Sequence, residues 1–190
     1  MQRENGIVIG IVTDLNDPDK LGRVRVKFPY LNDQLSDWAR IAQAMAGKGR
    51  GAYFVPEPED EVLVAFECGD PRRPYVVGAL WSSADPPPAT DGAAAKNNWR
   101  FIQSRSGHIF KFDDTEGAEK IEIVDKDGTQ KIIIDTANKK IEIHCGGDIS
   151  IKTKGKLSME ANEISITAKA SLTLEAKGAV TVKGQPVKIN

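Results

Sequence analysis

The last 78 residues of this 190-residue chain, 113–190, lack aromatic residues. All twelve Phe, Trp and Tyr residues lie at or before Phe112, and the last 27 residues, ISITAKASLTLEAKGAVTVKGQPVKIN, contain none. Globular cores normally take much of their bulk from aromatic rings. Any core built from residues 113–190 must therefore be a narrow space filled by aliphatic side chains.

The chain also lacks an excess of either charge and a long apolar run. Its 26 basic and 27 acidic residues give a formal charge of −1, so it has no global attraction to nucleic acid or to an anionic membrane. No segment approaches the roughly 18 apolar residues of a membrane span. The start, MQRENGIVIG, lacks the apolar core of a signal peptide. We therefore expect a protein that is made and kept in the cytosol.

Cysteine is scarce. The only two, Cys68 and Cys145, lie far apart and show neither CxxC nor Cys–His spacing. This pattern argues against a disulfide framework and against a zinc site. We expect both cysteines to be buried free thiols, and we expect no metal and no other cofactor.

The distribution of residues predicts two domains and a linker. Residues 1–81 alternate strand patterns with turn signals, and residues 99–190 contain regular short repeats that begin at about residue 121. Residues 82–98 read SSADPPPATDGAAAKNN, which is rich in Pro, Ala and small polar residues. Such a composition has no packing face and is typical of an extended linker.

The sequence of the first domain predicts a small all-β barrel. About five strand segments are visible, which read GIVIGIVTDL, GRVRVKFPYL, DWARIAQAMAG, EVLVAFECGD and RPYVVGALW. The turn NDPDK separates the first two. Five short strands with a long central connection favour a Greek-key barrel of the OB type, since sandwiches usually need more strands.

The second domain repeats an apolar–polar–apolar triplet. Triplets begin at residues 121, 132, 141, 149, 157, 164, 172, 180 and 187, and turn residues lie between them. In a strand, the outer residues of a triplet share one face and the middle residue lies on the other. The predicted core consists of the outer residues of six triplets: Ile141, Ile143, Ile149, Ile151, Leu157, Met159, Ile164, Ile166, Leu172, Leu174, Val180 and Val182.

Such a ribbon cannot be stable as a monomer. Its apolar stripe is two side chains wide, which buries too little area to offset the ordering entropy of the segment. A β-helix made by one chain usually needs longer coils, so about eight residues per strand and turn supply only one wall of a prism. The sequence therefore predicts an intertwined trimeric β-helix, about 40 Å long or longer at the usual strand spacing.

Three segments carry a resemblance to a known family. They are GIVTDLNDPDKLGRVRVKFP at 10–29, GAYFVPEPEDEVLV at 51–64 and SGHIFKFDD at 106–114. They closely resemble the spike family of contractile tails, which includes phage baseplate assembly protein V and the type VI secretion valine–glycine repeat proteins. The resemblance implies a homotrimer in which three OB domains form a collar beneath the tail hub and three C-terminal strips form a membrane-piercing needle.

The resemblance also implies partners. Because the OB pattern begins near Met1, we expect the hub to be a separate protein, and the linker is too short for the lysozyme domain of some phage spikes. The finish at VKIN resembles spikes that are capped by a PAAR-repeat tip protein. This implies a tip site at Gln185, Pro186, Val187, Lys188, Ile189 and Asn190. Effector cargo is left open, contact with the target membrane is transient, and no nucleic acid is expected.

The same resemblance implies where the protein acts. It predicts assembly in the bacterial cytoplasm, within a phage tail, a tailocin or a phage-like injection system, and delivery to the target envelope on contraction. The particle type, the target cell and the cargo stay open.

Candidate catalytic residues are present but poorly arranged. Glu57, Glu59, Asp60 and Glu61 form a cluster that prolines interrupt, which is typical of a solvated turn beside a strand. His108 and His144 have no positioned acid nearby in the sequence. The glycine-rich segment 47–51 lacks the P-loop pattern and a following helix, so we interpret it as a barrel loop. We expect no enzymatic activity.

Two other function classes remain. An OB barrel could bind single-stranded nucleic acid if Trp38, Tyr53, Phe54, Arg40 and Arg50 formed one surface. The adjoining acidic run and the balanced charge argue against it. A passive trimeric adhesin would share the needle but would ordinarily carry a secretion signal, and none is visible.

Overall fold

The computed structural model describes residues 6–88 and 95–188, and within them the fold is all-β. The chain divides into two compact units, Met1–His144 and Cys145–Asn190. The strands are β1 (Ile7–Asp14), β2 (Arg25–Phe28), β3 (Gln34–Leu35), β4 (Arg40–Ile41), β5 (Ala46–Gly47), β6 (Arg50–Gly51), β7 (Glu61–Phe66), β8 (Pro74–Leu80), β9 (Trp99–Gln103), β10 (Ile109–Asp113), β11 (Lys120–Val124), β12 (Lys131–Asp135) and β13 (Lys140–His144). Short 3-10 turns span Pro29–Leu31 and Glu67–Gly69.

Strands β1, β2, β4, β7 and β8 form the predicted five-stranded barrel. β1 pairs antiparallel with β2 and with β7, and β7 pairs antiparallel with β8. β4 runs parallel to β8. An antiparallel bridge joins Val24, just before β2, to Ala39, just before β4. This order returns to its starting strand, as a Greek-key barrel of the OB type requires.

Valine dominates the barrel core. The fully buried side chains include Val12, Val26 and Val64, each at 0% exposure. Burying an aliphatic side chain of this size contributes about 1.5–3 kcal/mol. Gly10 of β1 lies against this cluster, because a Cβ added there would come 3.2 Å from the side chains of Val26 and Val64. The barrel is thus packed closely at this position, where any larger residue would press on the neighbouring valines.

The acidic run lies in a turn that leads into β7, as predicted, and its last member, Glu61, is the first residue of that strand. Asp60 accepts a hydrogen bond from the backbone N–H of Glu57 at 2.8 Å, and Glu59 has a left-handed backbone with φ 74°. The glycine-rich segment 47–51 contributes to the two-residue strands β5 and β6 of a hairpin within the long connection. Neither segment is followed by a helix.

The expectation of two buried thiols is wrong. Cys68 is exposed and Cys145 is partly buried, and both are free. Cys68 adopts a left-handed conformation, with φ 51°, in the turn between β7 and β8. Connections of this kind run over the surface, where their backbone groups can meet water. The turn, and not the apolar character of the side chain, therefore determines that Cys68 is exposed.

Strands β9 to β13 form an antiparallel sheet in simple up-and-down order. The triplets that begin at 121, 132 and 141 lie in β11, β12 and β13, so these three are strands as predicted. In the second unit, residues 145–188 contain no hydrogen-bonded strand. A strand requires a pairing partner, and the pairing predicted for these triplets is between chains.

Candidate functional site

The sheet of β9 to β13 has an apolar face two side chains wide. Phe110 lies opposite Ile123, Ile123 opposite Ile132, and Ile132 opposite Ile143. Residues directly opposite in an antiparallel pair share a face. The first row is therefore Ile102, Phe110, Ile123, Ile132 and Ile143, and the second is Arg100, Phe112, Ile121, Ile134 and Ile141.

This face is open in the single chain. Ile123 is 51% exposed, Ile132 is 43% exposed and Ile141 is 71% exposed. Soluble monomers rarely expose contiguous apolar patches of this extent, and such patches mark interaction surfaces. We therefore identify the face as a candidate protein interface.

The opposite face of the sheet mixes paired charges with apolar side chains, which are Trp99, Phe101, Ile109, Val124 and Ile133. The Lys111 ammonium lies 2.6 Å from the Glu122 carboxylate and 4.1 Å from the centre of the Trp99 ring. At one margin, Asp113, Lys120, Asp135 and Lys140 oppose one another with alternating charge. Hydrogen bonds from Asn138, aided by Lys120 and Lys140, hold the pKa of Asp135 below its usual value. Opposite charges across strands stabilise one register, which fixes the apolar residues on the other face.

All twelve predicted core residues are exposed, with values between 51% and 71%. Ile141 and Ile143 lie on the apolar face of β13, and the other ten lie in the second unit, whose described residues from Gly146 to Lys188 are all exposed. Of the predicted tip residues, Gln185, Pro186, Val187 and Lys188 are exposed, whereas Ile189 and Asn190 lie outside the described residues. The single chain therefore does not assemble these side chains into a core.

The barrel carries a separate cleft of about 830 Å³. Its walls are the loop between β1 and β2, strand β4, the β5–β6 hairpin and the loop between β7 and β8. The cleft brings together four of the five residues that the sequence grouped as a nucleic-acid surface, namely Trp38, Arg40, Arg50 and Tyr53. Phe54 is exposed but does not line it.

Several other residues that line this cleft were not predicted from the sequence. Arg72, Arg73 and Tyr75 line it together with Met45. The segment PRRPY between two strand patterns was a visible signal, because adjacent arginines and a tyrosine beside a turn are solvent-accessible. Arg72 donates to Asp70 and lowers the pKa of that carboxyl to about 2.

One wall of the cleft is fixed by a carboxylate. Asp17 accepts hydrogen bonds from the backbone N–H groups of Asp19 and Leu21 and from the backbone and guanidinium of Arg23. The guanidinium and these backbone donors hold the pKa of Asp17 well below its usual range, although its partial burial opposes this. The loop between β1 and β2 is thereby wrapped around a group that is charged at neutral pH.

The other catalytic candidates are engaged in surface contacts. Glu57 pairs with Arg105 at 3.1 Å, and Glu59 pairs with Lys27 at 3.3 Å. His108 is exposed, and its Nδ1 accepts from a backbone N–H of residue 126, while Nε2 of His144 lies 3.6 Å from Glu142. Among the described residues, no group of three or more His, Cys, Asp or Glu side chains is placed to hold a metal ion. Within the same range, no helix is long and apolar enough to cross a bilayer.

Comparison with known proteins connects the barrel to one family. Residues 8–81 match the model for the type VI secretion system/phage-baseplate injector OB domain. The matched range begins in β1 and includes all of β2 to β8.

Individual relatives extend the similarity beyond the barrel. The chain is 29% identical over 147 residues to the type VI secretion system spike protein VgrG1b of Pseudomonas aeruginosa, a match that covers 74% of the chain and 19% of that protein. It is 30% identical over 131 residues to VgrG1a of the same organism, covering 63% and 20%. It is 32% identical over 122 residues to VgrG4b, covering 61% and 14%. The aligned part thus amounts to a fifth or less of each of these relatives.

Proposed function

The chain belongs to the VgrG-like family of baseplate and type VI secretion spike proteins, and from that premise we propose that it is the central spike of a contractile injection apparatus. The apparatus is a phage tail, a tailocin or a phage-like injection system. The observation that supports this is the open apolar face of β9 to β13, together with the exposed triplets of the second unit.

The proposed assembly is a homotrimer. Three copies of a stripe two side chains wide can enclose a slim core. Beyond Phe110 and Phe112 of β10 the stripe is aliphatic, which suits a narrow core along the triplets. The opposite face, which carries the Lys111–Glu122 pair, then lies on the outside. Strands that lack a partner in their own chain pair with neighbouring chains, which satisfies their backbone groups. In this arrangement residues 145–188 form the trimeric β-helix needle.

The proposed mechanism is mechanical. Sheath contraction drives the baseplate hub and the spike forward, and the needle transmits axial force into the target envelope. The OB domains form the collar below the hub. This role needs stiffness and no bond chemistry, so we propose a structural protein without enzymatic activity, assembled in the bacterial cytoplasm and delivered to the target envelope, with effector cargo as a possible passenger of the particle.

The proposal includes a tip partner. Val180, Val182 and Val187 are 55%, 68% and 49% exposed. A trimer would bring three copies of these apolar side chains close together, and a cap that covers them would remove an aggregation-prone surface. We assign this role to a PAAR-repeat protein that binds residues 185–190.

Light scattering on the purified chain tests the assembly. We expect three times the 20.7 kDa chain mass, together with a β-type circular dichroism spectrum that shows the sample to be folded. A folded monomer at micromolar concentration would contradict the proposal, because the apolar face would then be stable in water.

A further inference from the structure

We propose that the barrel cleft is a docking site for an extended segment of a partner protein, in which two carboxylates are interspersed with apolar side chains. The inference deepens the proposed function, since the partner is taken to be a component of the same particle. Its chemistry depends on the barrel alone. The cleft volume of about 830 Å³ lies within the range that binding pockets usually show.

Most cations of the cleft are neutralised in place. Arg23 pairs with Asp17 and Asp19, Arg72 pairs with Asp70, and Arg73 pairs with Glu67. Among the described residues, Arg40 and Arg50 form no salt bridge. The cleft therefore has two guanidinium groups that are available to an anionic partner.

Each of these guanidinium groups lies against a neighbour, and for Arg40 the neighbour is an aromatic ring. The Arg40 Cζ lies 5.6 Å from the centre of the Tyr75 ring, in a cation–π contact. The Arg50 side chain folds over Gly47, since a Cβ at residue 47 would come 3.1 Å from the Arg50 Cζ. A guanidinium that is already positioned loses less entropy when it binds, and its planar fork matches a carboxylate in a bidentate contact. This arrangement favours two carboxylates on the partner.

Several other lining residues are apolar and exposed, so they favour apolar side chains on the partner. Leu21 is 70% exposed, Met45 is 52% exposed and Tyr53 is 79% exposed. The Tyr53 ring lies beside Gly22, and the Gln43 amide donates to the carbonyl of Phe54 at 2.8 Å, so this part of the long connection is anchored to the cleft. Tyr, Trp, Met and Arg are the residue types that protein–protein interfaces favour.

A protein segment fits these features better than a nucleic acid. Two unpaired cations neutralise about two phosphates, and nucleic-acid affinity rises with the number of phosphates neutralised. The acidic run of this chain does not compete for the site, because Glu57 and Glu59 pair with cations elsewhere.

Fluorescence anisotropy with the full-length chain tests the site. The probes are a labelled eight-residue peptide that contains two Glu residues interspersed with Leu and Ser, the same peptide with Gln in place of Glu, and an oligothymidylate of eight nucleotides. We expect the Glu peptide to bind at least about tenfold more tightly than the Gln peptide, because charge-assisted hydrogen bonds are lost. The double variant Arg40→Gln/Arg50→Gln should lose the same factor. Arg105→Gln, an exposed site outside the cleft, is the matched control and should bind as the wild type does.

Several outcomes would overturn the inference. These are equal affinity for the two peptides, no measurable binding of either, and undiminished binding by the double variant. Tighter binding of the oligothymidylate than of the Glu peptide would identify a nucleic-acid site instead. Light scattering on the same samples separates the two proposals, because a trimer that ignores the peptides refutes only the docking site. A folded monomer refutes the spike whatever the peptides do.

Discussion

Ile132 lies directly opposite Ile143 across β12 and β13, and the two side chains share a face on which they are 43% and 64% exposed. The intervening pair, Ile133 and Glu142, lies on the other face. The outer residues of these triplets therefore form the open apolar surface. The same alternation, applied to the later triplets, predicts that Ile166 faces the interior of the trimer.

The variant Ile166→Asp tests the face assignment in the needle. It would place three carboxylates together in an apolar channel, where they must either be desolvated or become protonated. We expect a loss of at least about 3 kcal/mol per trimer, the range measured for uncompensated buried charge. The measurement is thermal unfolding followed by circular dichroism, with light scattering to report dissociation.

The neighbouring variant Ser165→Asp is the matched control for Ile166→Asp. It adds the same charge one residue away, on the face assigned to water, and should leave the trimer nearly as stable as the wild type. If Ser165→Asp were the more damaging of the two, the two faces of the triplets would have been assigned in reverse.

The packing at Gly10 gives a prediction for the barrel. A Cβ at this position would already lie 3.2 Å from Val26 and Val64, so Gly10→Val should overpack the core. We expect a loss of about 1–3 kcal/mol of unfolding free energy, measured by denaturant titration of the full chain. Gly78→Ala is the control, since its Cβ would meet only Leu63 at 4.0 Å, and it should stay within about 1 kcal/mol of the wild type. Equal stability of Gly10→Val and the wild type would show that the core can accommodate the larger side chain.

Local pattern was sufficient to predict β11, β12 and β13, because their apolar–polar–apolar triplets pair within the chain. It missed that Phe110 and Phe112 belong to the same apolar face. The letters FKF follow the triplet pattern 11 residues before the IEI at 121, but the rings suggested a different kind of core. The later triplets have the same pattern without pairing in the single chain, so their strands stay a prediction.

The cleft could be predicted only in part, because the segments that line it come from distant parts of the sequence. Trp38, Arg40, Arg50 and Tyr53 were grouped from one region of the chain. Tyr75 joins them because β4 pairs in parallel with β8, which puts Arg40 next to Tyr75. A pairing between strands that far apart leaves no mark in either local pattern.

Asp17 makes barrel stability depend on pH. Its carboxylate binds Arg23 and several backbone N–H groups, so its folded-state pKa is lowered below that of the unfolded chain. A lowered pKa stabilises the fold above the unfolded value of about 4, and this contribution is lost as the pH falls through that value toward the folded-state pKa. We expect Asp17→Asn to be less stable than the wild type at pH 7, and the difference to shrink between about pH 4 and pH 2. Denaturant titrations across that range provide the measurement.

Asp19→Asn is the control for Asp17→Asn. Asp19 also contacts Arg23, but its side chain is 64% exposed, so solvent screens the interaction. We expect a smaller loss at pH 7. A difference between Asp17→Asn and the wild type that stayed constant down to pH 2 would mean that the carboxylate charge does not stabilise the loop.

The tip partner can be tested by a pair of adjacent substitutions. In the last triplet Val187 is an outer residue and Lys188 is the middle one, so Val187→Asp alters the apolar stripe and Lys188→Asp alters the face assigned to water. Binding of a PAAR-repeat cap should be mainly apolar, because Val187 is 49% exposed in the single chain and is available for contact. We expect Val187→Asp to abolish co-purification of a PAAR-repeat protein from the same particle, while Lys188→Asp retains it.

Both variants should stay trimeric by light scattering, since the other triplets and the sheet of β9 to β13 are unchanged. Undiminished capture of the cap by Val187→Asp would show that the tip site lies elsewhere.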